Sequence, residues 1–270
     1  MPFLGNLASK LNHSILFILI CCAVSHGQDV NLNAVPIDEV FPVTSGIIFP
    51  SFLTAAGVNP AALPQKGKGG SVLGLDYSPA PGGDGAHQYS LGVASGDSRV
   101  GGGIGYRGTF QKSATHALFA GAGFRSESTS IGVSLRMPDL SKGFSPQTDL
   151  GILTSTKSDV TFGLVMYHLE SSPQIDVGLG FGKDKNYEFE INILLPAVGS
   201  LFQANSEFVL TAATTVYASI FGLSFNSSYN THTSEVSQSV SLLIWFFKNC
   251  GVTLQYRSPN RSYYGLIIPL

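Results

Sequence analysis

Between Gln174 and Pro196 apolar and polar residues alternate with a period of two. Ile175, Val177, Leu179 and Phe181 fall on one side, and Asp176, Gly178, Gly180 and Gly182 on the other. After the charged stretch Lys183 to Asn186, the residues Tyr187, Phe189, Ile191, Ile193 and Leu195 alternate with Glu188, Glu190 and Asn192. Successive side chains of a strand point to opposite faces, so this stretch is a β-hairpin. The pattern recurs with Tyr89, Leu91 and Val93 against Ser90 and Gly92, and with Ile131, Val133, Leu135 and Met137 against Ser130, Gly132, Ser134 and Arg136. Along the chain it predicts about fourteen strands, with twelve as the alternative. They fall near 70–78, 86–95, 99–110, 114–124, 128–137, 148–156, 159–169, 174–183, 186–195, 205–216, 217–227, 235–247, 249–257 and 262–270. The longest intervening loops are expected at Pro79–Gly85, Pro138–Gln147 and Asn226–Ser234.

One oily face per strand fits a soluble sandwich as well as a barrel in a bilayer. Composition separates them. Only 12% of the 270 residues are charged, 44% are hydrophobic and 31 are glycine. A soluble domain carries about 25% charged residues. Mean hydropathy is +0.22, yet no segment after residue 27 approaches the roughly 20 consecutive apolar residues of a spanning helix. The remaining way to cross a bilayer is a closed ring of strands. The expected fold class is therefore all-β: a transmembrane antiparallel β-barrel whose strands of about ten residues, tilted by about 40°, cover roughly 25 Å. Such a ring is about 28 Å across, wider than its own side chains fill, so water or a plug must occupy the lumen.

The residues before Gly70 read differently. Lys10 precedes the apolar run Ile15 to Val24, and Ser25 and Gly27 stand at the -3 and -1 positions of a cut before Gln28. That is a secretory signal peptide over 1–27. From 28 to 69, Pro36, Pro42, Pro50, Pro60 and Pro64 break any long strand, and the small apolar stretch Phe52 to Leu63 suits packing inside something larger. This gives three parts: signal peptide 1–27, plug segment 28–69 and barrel 70–270. The exported chain keeps one thiol, Cys250, and a net charge of -3 with no basic patch, so neither an intramolecular disulfide nor nucleic acid is expected.

With the oily rows facing lipid, Arg136, Asp176, Glu188, Glu190 and Arg257 point into the lumen, as an ion-pair network or a selectivity filter. His87, His116, His168 and His232 are scattered, and no Gly-x-Ser-x-Gly elbow or metal-spaced His pair occurs. No enzymatic activity, cofactor or metal is expected. Tyr106, Phe110, Tyr167, Tyr187, Tyr217, Trp245, Phe246, Phe247, Tyr256, Tyr263 and Tyr264 fall near strand ends, as interfacial girdles do. Leu270, Ile268, Leu266 and Tyr264 give the last strand its outward row, although Pro269 removes a ladder donor where the ring should close.

Asn59-Pro60-Ala61, followed by Ala62-Leu63, resembles the NPA element of the outer-membrane long-chain fatty-acid transporter family. The barrels of that family carry this element in a hatch before the first of fourteen strands. The resemblance implies that Asn59, Pro60, Ala61 and nearby Phe52 form the plug and meet substrate. It also implies a porin-like, passive passage for small hydrophobic compounds such as fatty acids across a Gram-negative outer membrane. The partners implied are membrane lipid and a hydrophobic small molecule. The chain is too short for the family's extended outer loops, which leaves the cargo open. Related barrels with the same element serve protein secretion and surface attachment. A non-transporting barrel acting as a structural or protein-secretion partner is the alternative, and a secreted soluble sandwich is a third reading.

Overall fold

A computed structural model of the chain describes residues 47–50, 52–66, 70–79, 87–110, 116–137, 139–140, 146–156, 158–170, 173–183, 187–195, 208–218, 220–231, 233–247, 250–257 and 261–269. The expected signal peptide, and the expected plug as far as residue 46, lie outside these. The strands are β1 (Gly70–Ser78), β2 (His87–Gly96), β3 (Val100–Phe110), β4 (His116–Ser126), β5 (Thr129–Met137), β6 (Gln147–Ser155) and β7 (Val160–Tyr167). They continue as β8 (Gln174–Lys183), β9 (Tyr187–Leu195), β10 (Val209–Ala218), β11 (Phe221–Asn230), β12 (Glu235–Phe247), β13 (Cys250–Arg257) and β14 (Arg261–Pro269). Each pairs with its neighbours in sequence, and β14 returns to β1 to close the barrel. The ring is antiparallel throughout, with fourteen strands.

Sidedness follows from adjacent residues of β5: Val133 is 48% exposed while Ser134 is 1% exposed. The inversion holds around the ring, where Leu75, Leu91, Ile104, Phe124, Phe162, Val177, Ile191 and Leu254 are exposed. Ser90, Asp149, Thr161, Glu190, Asn192, Ser241 and Thr253 are buried. A soluble sandwich would place these rows the other way, so the outer wall is one that acyl chains solvate. Val133→Arg, at the middle of β5, is therefore expected to lower folding stability by roughly 2–4 kcal/mol in phospholipid vesicles, measured by urea titration. A loss below about 0.5 kcal/mol would place this face in water.

The two ends of the barrel differ. At the end where β1 begins and β14 finishes, the connections are no longer than four residues, as in Asp97–Arg99 and Glu127–Ser128. Asp97 braces the first of these, its Oδ1 accepting from the amides of Arg99 at 2.6 Å and Val100 at 2.8 Å. Those two bonds hold its carboxyl below the usual carboxylate range. Longer connections gather at the other end. Short turns at one rim and longer loops at the other are the architecture of a bacterial outer-membrane barrel.

Closure runs from Val72↔Pro269 to Tyr77↔Tyr264. Pro269 occupies the terminal pair of that seam, where a missing donor removes one ladder bond at most. The alternation places two strands too early: β10 and β11 start at Val209 and Phe221, not near 205 and 217. Thr211-Ala-Ala-Thr-Thr215 is small on both faces, so it carries no oily row to fix the period. As a result Asn226 to Asn230, expected in a loop, extend β11. Three expected girdle aromatics are also corrected. Tyr167, Tyr217 and Trp245 are on the inner face, in the same rows as buried Val165, Thr215 and Leu243.

Candidate functional site

Residues 47–50 and 52–66 lie inside the barrel as a short internal segment. Helix α1 (Phe52–Val58) leads through Asn59 into a 3-10 turn (Pro60–Ala62) and then α2 (Leu63–Lys66). Phe52-Leu-Thr-Ala-Ala-Gly-Val58 has no period-two alternation and small residues on most sides, which suits a helix enclosed all round. Asn59 organises the rest. Its backbone is extended (φ -148°, ψ 97°), its Oδ1 accepts from the Ala61 amide at 3.1 Å, and Pro60 starts the turn where a missing N–H does no harm. Its Nδ2 donates to the Ile47 carbonyl at 2.8 Å and its own amide donates to Ala55 at 3.0 Å. One wholly buried side chain thus joins Ile47 to the turn. Pro60 and Ala61 are buried beside it, and Phe52 is the first residue of α1.

The wall receives this segment on glycine. A Cβ on Gly101 would lie 2.7 Å from the Leu63 carbonyl carbon, and one on Gly121 would lie 2.6 Å from the Ala56 oxygen. At Gly123 and Gly132 the added carbon would meet Pro60, at Gly151 the Asn59 side chain, and at Gly163 and Gly180 Ile48. From β3 to β8 the inner face therefore lacks side chains where the segment comes closest, its backbone on β3 to β5 and its Asn59 and Ile48 side chains on β6 to β8. Around that contact lies an apolar cluster in which Ile47, Ile48, Ala55, Ala56, Val58 and Leu63 of the segment meet Phe119, Leu153, Val165 and Tyr167 of the wall.

On β10 to β13 the inner face is different. Thr215 Oγ1 and Ser224 Oγ are 2.8 Å apart, as are Ser228 Oγ and Ser237 Oγ, so this wall is lined with paired hydroxyls. Asn226, Ser239 and Gln255 share its inward rows.

Polar contacts hold the segment at two places. Glu190 is fully buried; its Oε2 accepts from the Phe49 amide at 2.7 Å and its Oε1 from Asn192 Nδ2 at 2.7 Å. Tyr167 donates its hydroxyl to the Val58 carbonyl at 3.1 Å. The Arg136 guanidinium stacks over the Tyr167 ring, 5.0 Å from its centroid, and pairs with Asp149 through Nε at 2.5 Å and Nη2 at 2.7 Å. Asp149 also accepts from Ser134 Oγ and from the His168 amide, each at 3.1 Å. Burial, reinforced by the Arg136 charge, holds the His168 imidazole below its ordinary pKa.

The lumen charges named from sequence all fall on inward rows, but they do not meet in one cluster. Arg136 pairs with Asp149, Glu188 accepts from the Tyr217 hydroxyl at 3.0 Å, and Glu190 holds Phe49. Asp176 is half-buried on β8 and Arg257 half-buried near the end of β13. Sequence reasoning missed Asp149, Asn192, Tyr167 and the glycine track. Inward glycines opposite oily rows were the available signal for the track. Asp149 shares the inward row of Gly151 and Leu153, opposite Leu150 and Ile152.

Glu190→Ala leaves the Phe49 amide and the Asn192 amide buried without their acceptor, a loss of about 1–3 kcal/mol for each group. Hydrogen exchange at the Phe49 amide is expected to quicken by about tenfold or more while the strand amides of β3 to β5 stay protected. Unchanged protection at Phe49 would show that Glu190 does not hold the segment.

No family model matches the chain, and no curated protein matches it. Among solved structures, the TodX deltaS2S3 mutant, a monoaromatic hydrocarbon channel, aligns with a TM-score of 0.59 at 12% identity over 89% of this chain and 98% of that one. The P. putida toluene transporter TodX aligns with a TM-score of 0.58 at 12% identity over 88% and 98%. The chain shares its fold with these barrels. At such identity the likeness is one of architecture, and at that level it supports the resemblance carried by Asn59-Pro60-Ala61.

Proposed function

We propose that this chain is a passive outer-membrane channel for small hydrophobic compounds, with residues 28–69 as its plug and Asn59, Pro60 and Ala61 as the turn that seats it. One observation carries the reading: an apolar contact between the segment and the wall lies inside a barrel whose inner face from β10 to β12 carries paired hydroxyls. A hydrophobic solute entering from the loop end can replace the contacts of Ile47, Ile48 and Val58 with Phe119, Leu153 and Val165, whereas a polar solute gains nothing there. Displacement of the plug by a solute that matches its surface is a population shift driven by differential affinity. The fold shared with a barrel described as a monoaromatic hydrocarbon channel supports this choice of solute class. The lumen charges act in this reading as anchors, with Glu190 and the Arg136–Asp149 pair fixing the resting position.

The test is uptake into vesicles containing the reconstituted barrel. Deleting residues 45–64 is expected to raise the uptake of toluene and of a fatty acid and to abolish discrimination against a polar solute of similar size. Uptake unchanged by the deletion, in a barrel that retains its folded gel mobility, would reject the plug mechanism. Absence of conductance in both forms would reject transport.

A further inference from the structure

On the outer wall near the loop end, β14, β1, β2 and β3 line an open groove of about 580 Å³. Leu75 and Leu91 form its floor, and Tyr77, Tyr89, Tyr106 and Tyr264 stand around it. The aromatic walls are pinned. The Tyr77 hydroxyl is 2.7 Å from His87 Nδ1, with the two rings stacked 5.9 Å apart. The Tyr106 hydroxyl is 2.6 Å from His116 Nδ1, those rings stacked 6.0 Å apart, and it is 3.2 Å from the Tyr89 hydroxyl. Gly108 faces Tyr89 in register, and a Cβ there would run into the phenol ring, so Tyr89 lies flat across β3 and leaves the slot open on its β1 side.

We propose that this groove is a lipid site: it holds one acyl chain of a phosphate-bearing lipid of the surrounding bilayer, with the head group at the Tyr77–His87 and Tyr106–His116 pairs. Acyl chains already solvate this wall, so the inference concerns residence at one place. A leucine floor accepts a methylene chain. Each Tyr–His pair spends one hydrogen on the bond between its members and keeps one, on the phenol or on the imidazole, to donate to a phosphate oxygen at the depth where head groups lie. Rings already fixed by stacking and hydrogen bonds lose little freedom when the chain lodges, which favours retention over the exchange seen on a flexible surface. This site is on the opposite side of the wall from the plug and is independent of the transport reading.

The test is native mass spectrometry of the full-length exported chain in mild detergent after incubation with phosphatidylethanolamine. One retained lipid per barrel is expected. Leu91→Trp fills the floor and is expected to lower the retained fraction by about tenfold. Val133→Trp, outward on β5, is expected to leave it unchanged. The pair Tyr77→Phe with Tyr106→Phe keeps the apolar walls and removes the rim hydroxyls, and is expected to weaken retention severalfold. Heat-modifiable gel mobility establishes that each variant is folded. The proposal is overturned if the wild-type barrel keeps no lipid, if Leu91→Trp keeps as much as wild type, or if Val133→Trp loses as much as Leu91→Trp.

Discussion

Replacing Gly132 by valine is expected to unseat the internal segment while leaving the barrel folded. The added side chain enters the space of Pro60 and the Ala61 amide, which are backbone atoms in a turn fixed by Asn59 and cannot rotate aside. Overpacking of that kind costs about 1–3 kcal/mol, which lowers the ratio of seated to displaced forms by roughly 5- to 150-fold at about 1.4 kcal/mol per decade. The barrel itself gains, because valine suits a strand better than glycine does. The substitution therefore separates the two parts: conductance in planar bilayers should rise sharply while the folded gel mobility persists. Gly102→Val is the control. It lies on the outward row of β3, where an added Cβ comes no nearer than 3.6 Å to the Gly121 oxygen. Equal conductance for the two variants would mean that Pro60 does not rest on β5.

The second large effect is expected at Asp149. Removing its carboxylate with Asp149→Ala leaves Arg136 charged and buried, and strips acceptors from Ser134 and the His168 amide. Breaking one partner of a buried pair destabilises by about 3–5 kcal/mol. Urea unfolding in vesicles should register that loss. Replacing both partners, Arg136→Met with Asp149→Leu, removes the charges together and should recover more than half of it, since apolar residues of similar volume often substitute for a buried pair. The double variant also removes the cation over Tyr167, so its internal segment should be looser than its barrel stability implies. A double variant as unstable as Asp149→Ala would show that the pair itself stabilises the wall.

Much of the ring was legible because its solvent is uniform. Wherever large apolar residues stand at every second position, as in Ile131 to Met137 or Ile175 to Phe181, strand and facing follow directly. The reading slipped at Thr211 to Thr215, where alanine and threonine tolerate either face and only pairing with Tyr229 through Leu210 fixes the register. It also slipped for Tyr167, Tyr217 and Trp245. Proximity to a strand end says nothing about facing, and counting parity from Val165, Thr215 and Leu243 would have turned all three inward. The inner contacts were hardest to read, since Glu190 meets Phe49 across 141 positions of sequence and no local pattern encodes such a pair. Glycine was the trace left by that contact, visible as absent side chains rather than as chemistry.

The chain order of internal segment and wall constrains how the molecule can be assembled. The segment ending at Lys66 is synthesised ahead of every strand, yet it finishes enclosed by a ring whose last join is between Val72 and Pro269. The glycine track on which it rests runs from Gly101 to Gly180, all of it made before β9, which adds the Glu190 contact to Phe49. An open, curved sheet of the earlier hairpins already offers that surface, so docking can precede circularisation and need not thread a narrow mouth afterwards. Joining the two most distant strands has the largest loop-closure entropy in the fold, and it is the step that converts a docked segment into an enclosed one.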